Sequence, residues 1–253
     1  MDNNKPAYLQ TESNEFGQFI GSALPNWQGV AKPPQQILAG EHTELIPMQF
    51  EQHADSLWAL IQQEPDASCW TYLPYGSFAT QALFSTWLKG FLANDELLVY
   101  AILSGTKVVG WCALMRADVV SGSVEIGHVY YSASLRQSYS ATEAMFLLMQ
   151  QVFSLGYRRC EWKCDDLNAP SKKAALRLGF SYEGVFRQAV VVKGRNRNTA
   201  WFSILDSEWP SQSQAMQKWL KADNFDSSYS ESLSKSYGQQ KQTLQQLRKK
   251  LQD

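Results

Sequence analysis

Apolar and polar residues along this chain alternate with two periods, and the switches between them mark out the elements. From Leu97 to Tyr131 the apolar runs are short and divided by Ser104-Gly105 and Ser121-Gly122. Runs of that length bounded by turn residues predict three strands, Leu97–Leu103, Lys107–Arg116 and Val124–Tyr131, arranged as a meander. Elsewhere the spacing is helical. Phe50, Leu57, Trp58 and Ile61 predict a helix over Gln49–Gln63, closed by Pro65, and Leu83, Phe84, Trp87, Leu88 and Phe91 predict another over Thr80–Ala93. A short strand, Glu44–Met48, precedes the first helix, and an aromatic loop, Trp70–Phe78, lies between the two. After the meander the pattern reads helix Ala141–Leu155, strand Arg158–Asp165 and helix Ala169–Leu178 stopped by Gly179. A final hairpin, Val185–Val192 with Thr199–Leu205, turns around Lys193–Asn198. A meander, one β-α-β crossover, a further helix and a hairpin imply an α/β fold whose mixed sheet is mostly antiparallel with one parallel pair.

The two ends read differently. Residues 1–40 are rich in Pro, Gly, Asn and Gln but carry Phe16, Phe19, Ile20, Leu24 and Trp27, which predicts an irregular arm lying on the domain. The domain itself spans 41–210. Residues 211–253 are polar, and Tyr237, Leu244, Leu247 and Leu251 make a sparse stripe broken by Gln240. Two readings of this extension stay open: a solvated terminal helix, or a helix docked on its own domain or on a second subunit in a homodimer.

Composition narrows the class. Of 253 residues 44% are apolar and 13% aromatic, enough for a substantial core, and the net charge is −1. No global charge imbalance points to nucleic acid or a membrane surface. The first residues show neither a basic region nor an apolar one, and no run approaches the roughly 18 apolar residues of a membrane span. A cytoplasmic location is expected. Cys69, Cys112, Cys160 and Cys164 sit in apolar surroundings, and His42, His53 and His128 supply no metal-ligand spacing. Reduced core thiols and no metal are expected.

Candidate chemistry concentrates in Val124–Ala144, a strand, a polar loop and a helix start that bring backbone N–H groups to one point, a ready site for phosphate. Forty-odd residues on comes Asn168-Ala-Pro-Ser171, followed by Leu178-Gly179-Phe180. Together these segments resemble the GNAT superfamily of acetyl-CoA-dependent N-acetyltransferases, in particular the branch of RimJ/RimL-like protein N-terminal acetyltransferases. The resemblance implies the GNAT fold, with its splayed parallel strand pair, acetyl-CoA as co-substrate, and transfer of acetyl to a primary amine, on a protein N-terminus or a small molecule, by direct attack on the thioester. The family loop reads Arg-Gly-x-Gly-x-Ala. Here it reads Arg136, Gln137, Ser138, Tyr139, Ser140, Ala141, so both glycines are replaced and bulky Gln137 and Tyr139 narrow the loop. Converging amides survive, because every residue except proline has an N–H.

The resemblance further implies that Val129 and Tyr131 offer strand groups to the pantetheine arm and that a strand amide near Val129 meets the oxyanion. Asn168 would hydrogen-bond the pantetheine. The Tyr that many members place seven residues after that Asn is Ala175 here, and Ser171 takes the role of meeting the departing thiolate. Attack requires a neutral amine, so a base is useful. Glu125, expected on the strand face of Val129 and Tyr131, resembles the strand Glu that serves as base in some members. Read from the residues alone, Glu125 is equally a strand carboxylate paired with Arg or Lys, and Asn168 and Ser171 equally a helix-start pair. His128, expected on the opposite face from Glu125, reads as a core residue. Asp165 and Asp166, with Tyr72 and Tyr75, are candidates for the acceptor side, although capping and core cover explain them too. Lys193, Arg195 and Arg197 form a basic tip. A non-catalytic CoA-binding sensor or assembly module of the same fold is the alternative from another functional class.

Overall fold

The computed structural model of the chain describes residues 9–225 and 240–252. Its centre is a sheet of eight strands: β3 (Leu38–Ala39), β4 (Thr43–Pro47), β5 (Leu97–Ser104), β6 (Lys107–Asp118), β7 (Ser123–Tyr131), β8 (Arg159–Asp165), β9 (Ser181–Val192) and β10 (Arg195–Leu205). They lie in the order β3-β4-β5-β6-β7-β8-β10-β9. Only β7 and β8 run parallel; every other neighbour is antiparallel. The mixed α/β architecture is the expected one.

Helices α1 (Phe50–Ile61) and α2 (Gln81–Leu92) cover one face, where Leu57, Phe84, Leu88, Trp111 and Tyr130 form a buried cluster. Helices α3 (Tyr139–Ser154) and α4 (Ala169–Leu178) cover the other, over Val124, Ile126, Cys160, Trp162, Cys164, Phe202 and Ile204. Cys160 and Cys164 thus face the same side, and the described cysteines are free thiols.

The N-terminal arm differs from expectation in its first part, and the C-terminal extension decides between the readings left open for it. Phe16, Phe19, Ile20 and Leu24 are exposed, because the arm opens with a separate hairpin, β1 (Thr11–Ser13) and β2 (Phe19–Gly21). The arm meets the domain only further along, where the Trp27 indole donates to the Val120 carbonyl at 2.7 Å and the Val30 amide to Val119 at 2.9 Å. At the other end, α5 (Trp209–Trp219) and α6 (Leu244–Gln252) pack on each other and over α3 and α4. Ala215, Met216, Trp219, Leu244 and Leu247 are buried in the domain's own core. Of the readings left open for this extension, docking on its own domain describes these residues; Tyr237 lies outside the described residues. The final hairpin also turns more tightly than its sequence suggested. Lys193 and Gly194, at φ +50° and +71°, make the turn, and β10 already begins at Arg195.

Candidate active site

Strand β7 is bent by a bulge. Ala113 pairs with Gly127 and Trp111 with Tyr130, so Cys112 is opposed by both His128 and Val129. His128 absorbs the extra residue at φ +51°. Two corrections follow. The bulge reverses alternation, so Glu125, Gly127 and Tyr130 share the α1/α2 face, whereas Val129 and Tyr131 pack toward α3 and α4. Glu125 therefore does not lie on the face of Val129 and Tyr131. Nor is His128 opposite Glu125: its ring lies against Tyr75 (5.6 Å) and Phe91 (4.9 Å), on the α2 side.

The same bend opens the sheet. β7 and β8 pair from Ser123–Arg159 to Ile126–Trp162 and then part. Beyond that pair, residues 127–129 of β7 and 163–165 of β8 are no longer paired with each other, which leaves each strand an edge along a widening split. An unpaired edge exposes N–H and C=O groups at regular spacing, which an extended ligand bearing amides can satisfy.

At the apex of this split the sequence-predicted residues gather on two sides. On the α4 side, Trp162, the last residue of β8 that pairs with β7, donates its indole N–H to the Ser171 hydroxyl at 3.0 Å. Ser171 also lies against the Cys164 thiol. Asn168 caps α4, its Oδ1 accepting the Ser171 amide at 3.1 Å. Capping uses only the oxygen, and among the described residues nothing partners the Asn168 amide nitrogen. On the α1/α2 side lies Glu125, 5% exposed, 3.2 Å from Lys163 Nζ and 3.5 Å from Arg116 Nε. Burial pushes its pKa up, with Lys163 and Arg116 partly offsetting. Lys163 is itself enclosed, over the Trp201 ring at 3.6 Å and 2.7 Å from a Glu161 oxygen. The pairing of Glu125 with Arg or Lys was one of its two readings, but the partners Arg116 and Lys163 were not identified. A signal was present in Arg159, Glu161 and Lys163, which alternate with Cys160, Trp162 and Cys164 and must share the other face.

Desolvation, aided by the Arg116 charge, holds the His128 pKa down at about 4, and its buried Nδ1 has no partner among the described residues. Burial raises the Tyr75 phenol, whose oxygen receives only the Trp111 indole at 3.4 Å, so this side chain covers the aromatic core. Tyr72 reaches across the split instead and donates to the Leu167 carbonyl at 3.1 Å. Asp165 accepts the Leu167 amide at 2.9 Å, and Asp166 pairs with Lys172 at 2.9 Å. The loop-start explanation of the two acids thus has direct contacts. The whole aromatic loop is strapped to the far side by Lys193, whose ammonium donates to the Trp70 carbonyl at 2.7 Å.

The loop expected to cradle phosphate departs from its reading. Tyr139 does not narrow it, because the side chain turns away and is buried, its hydroxyl donating to the Leu220 carbonyl at 2.6 Å and its ring on Trp219 at 5.9 Å. Gln137 keeps the conformation that a glycine would ease, φ +59°, with its side chain in solvent. The amides of Ser138 and Ala141 are engaged within the corner, with the Leu135 carbonyl at 3.2 Å and the Ser138 hydroxyl at 3.1 Å. Ser138, Tyr139 and Ser140 are each only 2% exposed, so the open rim consists of Ala133, Ser134, Arg136 and Gln137. Arg136 is also tethered. It donates to the Tyr131 carbonyl at 2.9 Å and to Glu64 at 2.8 Å, and Glu64 in turn accepts the Tyr130 hydroxyl at 2.9 Å. Nothing in the sequence singles out Glu64, which stands just beyond α1.

Comparison with known proteins follows the same lines. A family model described as an acetyltransferase (GNAT) domain matches residues 43–181. The crystal structure of a GCN5-related N-acetyltransferase from Brucella melitensis is 45% identical, covers 89% of this chain and 100% of its own, and superposes with a TM-score of 0.83. A probable acetyltransferase of the GNAT family from Chromobacterium violaceum ATCC 12472 is 41% identical, over 76% of this chain and 96% of its own, with a TM-score of 0.71. A curated relative from Bacillus licheniformis, the uncharacterised N-acetyltransferase p20, is 29% identical over 103 residues, 41% of this chain and 58% of that protein. The chain therefore spans little more than half the length of that relative.

Proposed function

The chain belongs to the GNAT acetyltransferase family, and from that premise we propose that it transfers acetyl from acetyl-CoA to a primary amine by direct attack on the thioester. The observation that carries this reading is the apex of the β7–β8 split, with Ser171 and Asn168 on one face of the sheet and Glu125 on the other. Such an arrangement lets donor and acceptor approach from opposite sides and meet between the strands.

In this proposal the β7 edge that faces the split at Val129 and Tyr131, together with the Asn168 amide nitrogen, holds the pantetheine arm. A strand amide near Val129 meets the oxyanion. The phosphates rest on the exposed rim at Arg136 and Gln137 rather than on all four amides of Ser138–Ala141. Because the Trp162 indole donates to the Ser171 oxygen, the Ser171 hydrogen, which otherwise meets the Cys164 thiol, can turn toward the sulfur where charge develops. Glu125 takes the amine proton, directly or through water, and burial raises its basicity. Tyr72, Asp165 and Asp166 border the acceptor side. A polypeptide N-terminus, as in the RimJ/RimL-like branch, is the acceptor we favour over a small amine, since the hairpin beside the split offers a long open surface. The acceptor and the chemistry point to cytoplasmic work.

Thiol release from acetyl-CoA, measured over a panel of peptides and small amines, tests the proposal. Amine-dependent release supports it. Tight acetyl-CoA binding without release on any amine would favour the non-catalytic module instead, a reading to which the engaged amides of Ser138 and Ala141 lend some weight.

A further inference from the structure

We propose that the β9–β10 hairpin binds the acceptor, and that the acceptor is a polypeptide carrying acidic residues a few positions behind its reacting amine. This rests on the amine-acceptor reading above and names its substrate class.

The charge distribution is lopsided. Arg187, Lys193, Arg195 and Arg197 fall between Gly184 and Leu205, where there is no Asp or Glu, although the whole chain carries −1. Among the described residues none of the four forms an ion pair. On neighbouring β8 the cations are paired: Arg159 holds Glu161 and Glu183, and Lys163 holds Glu125 and Glu161. Unpaired cations packed this closely repel one another, and an anionic partner relieves that repulsion.

The hairpin also has the form of a peptide site. β9 is the outer strand of the sheet, so its free edge presents backbone donors and acceptors over twelve residues. Phe186 (59%) and Val191 (77%) stand exposed along it. An open groove of about 630 Å³ is lined by Phe186, Arg187, Gln188 and Ala189. A local irregularity shapes the groove: Gln188 adopts φ +49° and its amide donates to the Asn198 side chain at 2.8 Å, where the β9–β10 register shifts. Arg187 in a mainly polar groove, with exposed Phe186 and Val191 on the same free strand edge, fits an extended segment that mixes acidic and apolar side chains. Nucleic acid would make no use of the strand edge.

Position links this surface to the split. β8 borders the split, and β10 and β9 follow it outward. The Asp166 amide donates to the Asn198 carbonyl at 3.0 Å, and Lys193 bridges to Trp70 over the acceptor side. Two strand spacings are roughly 10 Å, about three residues of extended chain. Acidic residues at the third to sixth positions of the acceptor therefore fall on the hairpin.

The test uses the full chain and ten-residue peptides labelled at the C-terminus, alike except for Asp and Glu, Ser and Asn, or Lys at positions three to six. Binding is followed by fluorescence anisotropy at 50 and 300 mM NaCl, so the measurement does not depend on turnover. The acidic peptide should bind at least tenfold tighter than the neutral one at low salt and lose most of that advantage at high salt. In the charge-reversal variant Arg187→Glu/Arg195→Glu, checked for an unchanged thermal melt, preference should swing to the Lys peptide; Arg187→Gln/Arg195→Gln should abolish it without reversal, and stands in if the reversal variant misfolds. Equal affinity for acidic and neutral peptides, a preference that survives both variants, or tighter binding of an RNA ten-mer would overturn the inference. Failure of the reaction itself would appear separately, as absence of thiol release with every peptide.

Discussion

The Ser171 hydroxyl has one hydrogen to donate, and Trp162 decides how it is used. Ser171→Ala removes the proposed contact to developing negative charge, and losing one such donor lowers kcat by about a hundred- to a thousandfold. It also strands the buried Trp162 N–H, at a cost of roughly 1–3 kcal/mol. Adding Trp162→Phe should recover part of the lost Tm but none of the kcat. If the single variant loses stability and keeps full kcat, Ser171 only supports Trp162 and the thiolate takes its proton from water. Two buried titratable groups carry opposite signs. The His128 pKa lies near 4 in the fold and near 6.5 when unfolded. The unfolded chain then binds more protons between those values, so the His128 contribution to stability is complete above pH 6.5 and is lost as pH falls toward 4. His128→Asn, which tolerates positive φ, should flatten that part of the Tm–pH curve. Glu125 is raised, so its proton is lost later in the fold than in the unfolded chain. As a base it works only above that raised value, so Glu125→Gln should depress kcat/KM most between that value and the amine pKa, where Glu125 is ionised and the amine is chiefly protonated. An unaltered pH–rate profile would return Glu125 to its pairing with Lys163 and Arg116.

At the scale of elements, the strands and helices that carry the site were legible, because apolar periodicity and turn residues are local signals. Helix Ala169–Leu178 matches its reading to the residue, since Asn168 and Gly179 cap it from within the sequence. The β7 bulge was not legible. Gly127-His128-Val129 has no residue that demands an extra position, and only pairing with Cys112 on β6 reveals it. One unread residue was enough to put Glu125 and His128 on the wrong faces, since a slip of one flips every side chain beyond it. The burial of Tyr139 escaped for a related reason: its partners lie some eighty residues away. The corner before α3 offers its own test. Ser138 accepts the Ala141 amide and donates to Leu135, so Ser138→Ala should cost about 1 kcal/mol, within the range for N-cap loss. Gln137→Val places a branched side chain at φ +59° and should be destabilising, whereas Gln137→Gly should be tolerated. Equal Tm for the Val and Gly variants would mean that the corner relaxes out of the left-handed region.

At the scale of the whole molecule, the polar C-terminal extension, for which a solvated helix was one reading, is anchored by tryptophans. Its few large apolar side chains are placed at long range. Trp209 stacks on Phe153 at 4.8 Å, near one end of α3, and Trp219 meets Tyr139 at the other, so α5 lies along that helix. Trp219 is wholly buried, touching the Phe225 ring at 5.1 Å and the Arg177 guanidinium at 4.9 Å, and Arg177 also donates to Thr142 on α3 at 3.1 Å. The extension therefore fixes the start of α3 from outside, taking up the bulk of the tyrosine that stands where the family loop has glycine. Trp219→Ala removes that wedge. Truncating a buried Trp costs about 3–5 kcal/mol, a large share of the roughly 5–15 kcal/mol that holds a domain together. A solvated tail would give almost no change in Tm. The milder Tyr139→Phe removes the hydroxyl and with it the hydrogen bond to Leu220, worth about 1 kcal/mol, and leaves the ring in place on Trp219. If the extension organises the cofactor corner as well as the core, Tyr139→Phe should weaken acetyl-CoA binding by more than its small stability loss accounts for. Calorimetric titration of that variant with acetyl-CoA, well below its Tm, decides the point. Wild-type affinity would confine the extension to a structural role.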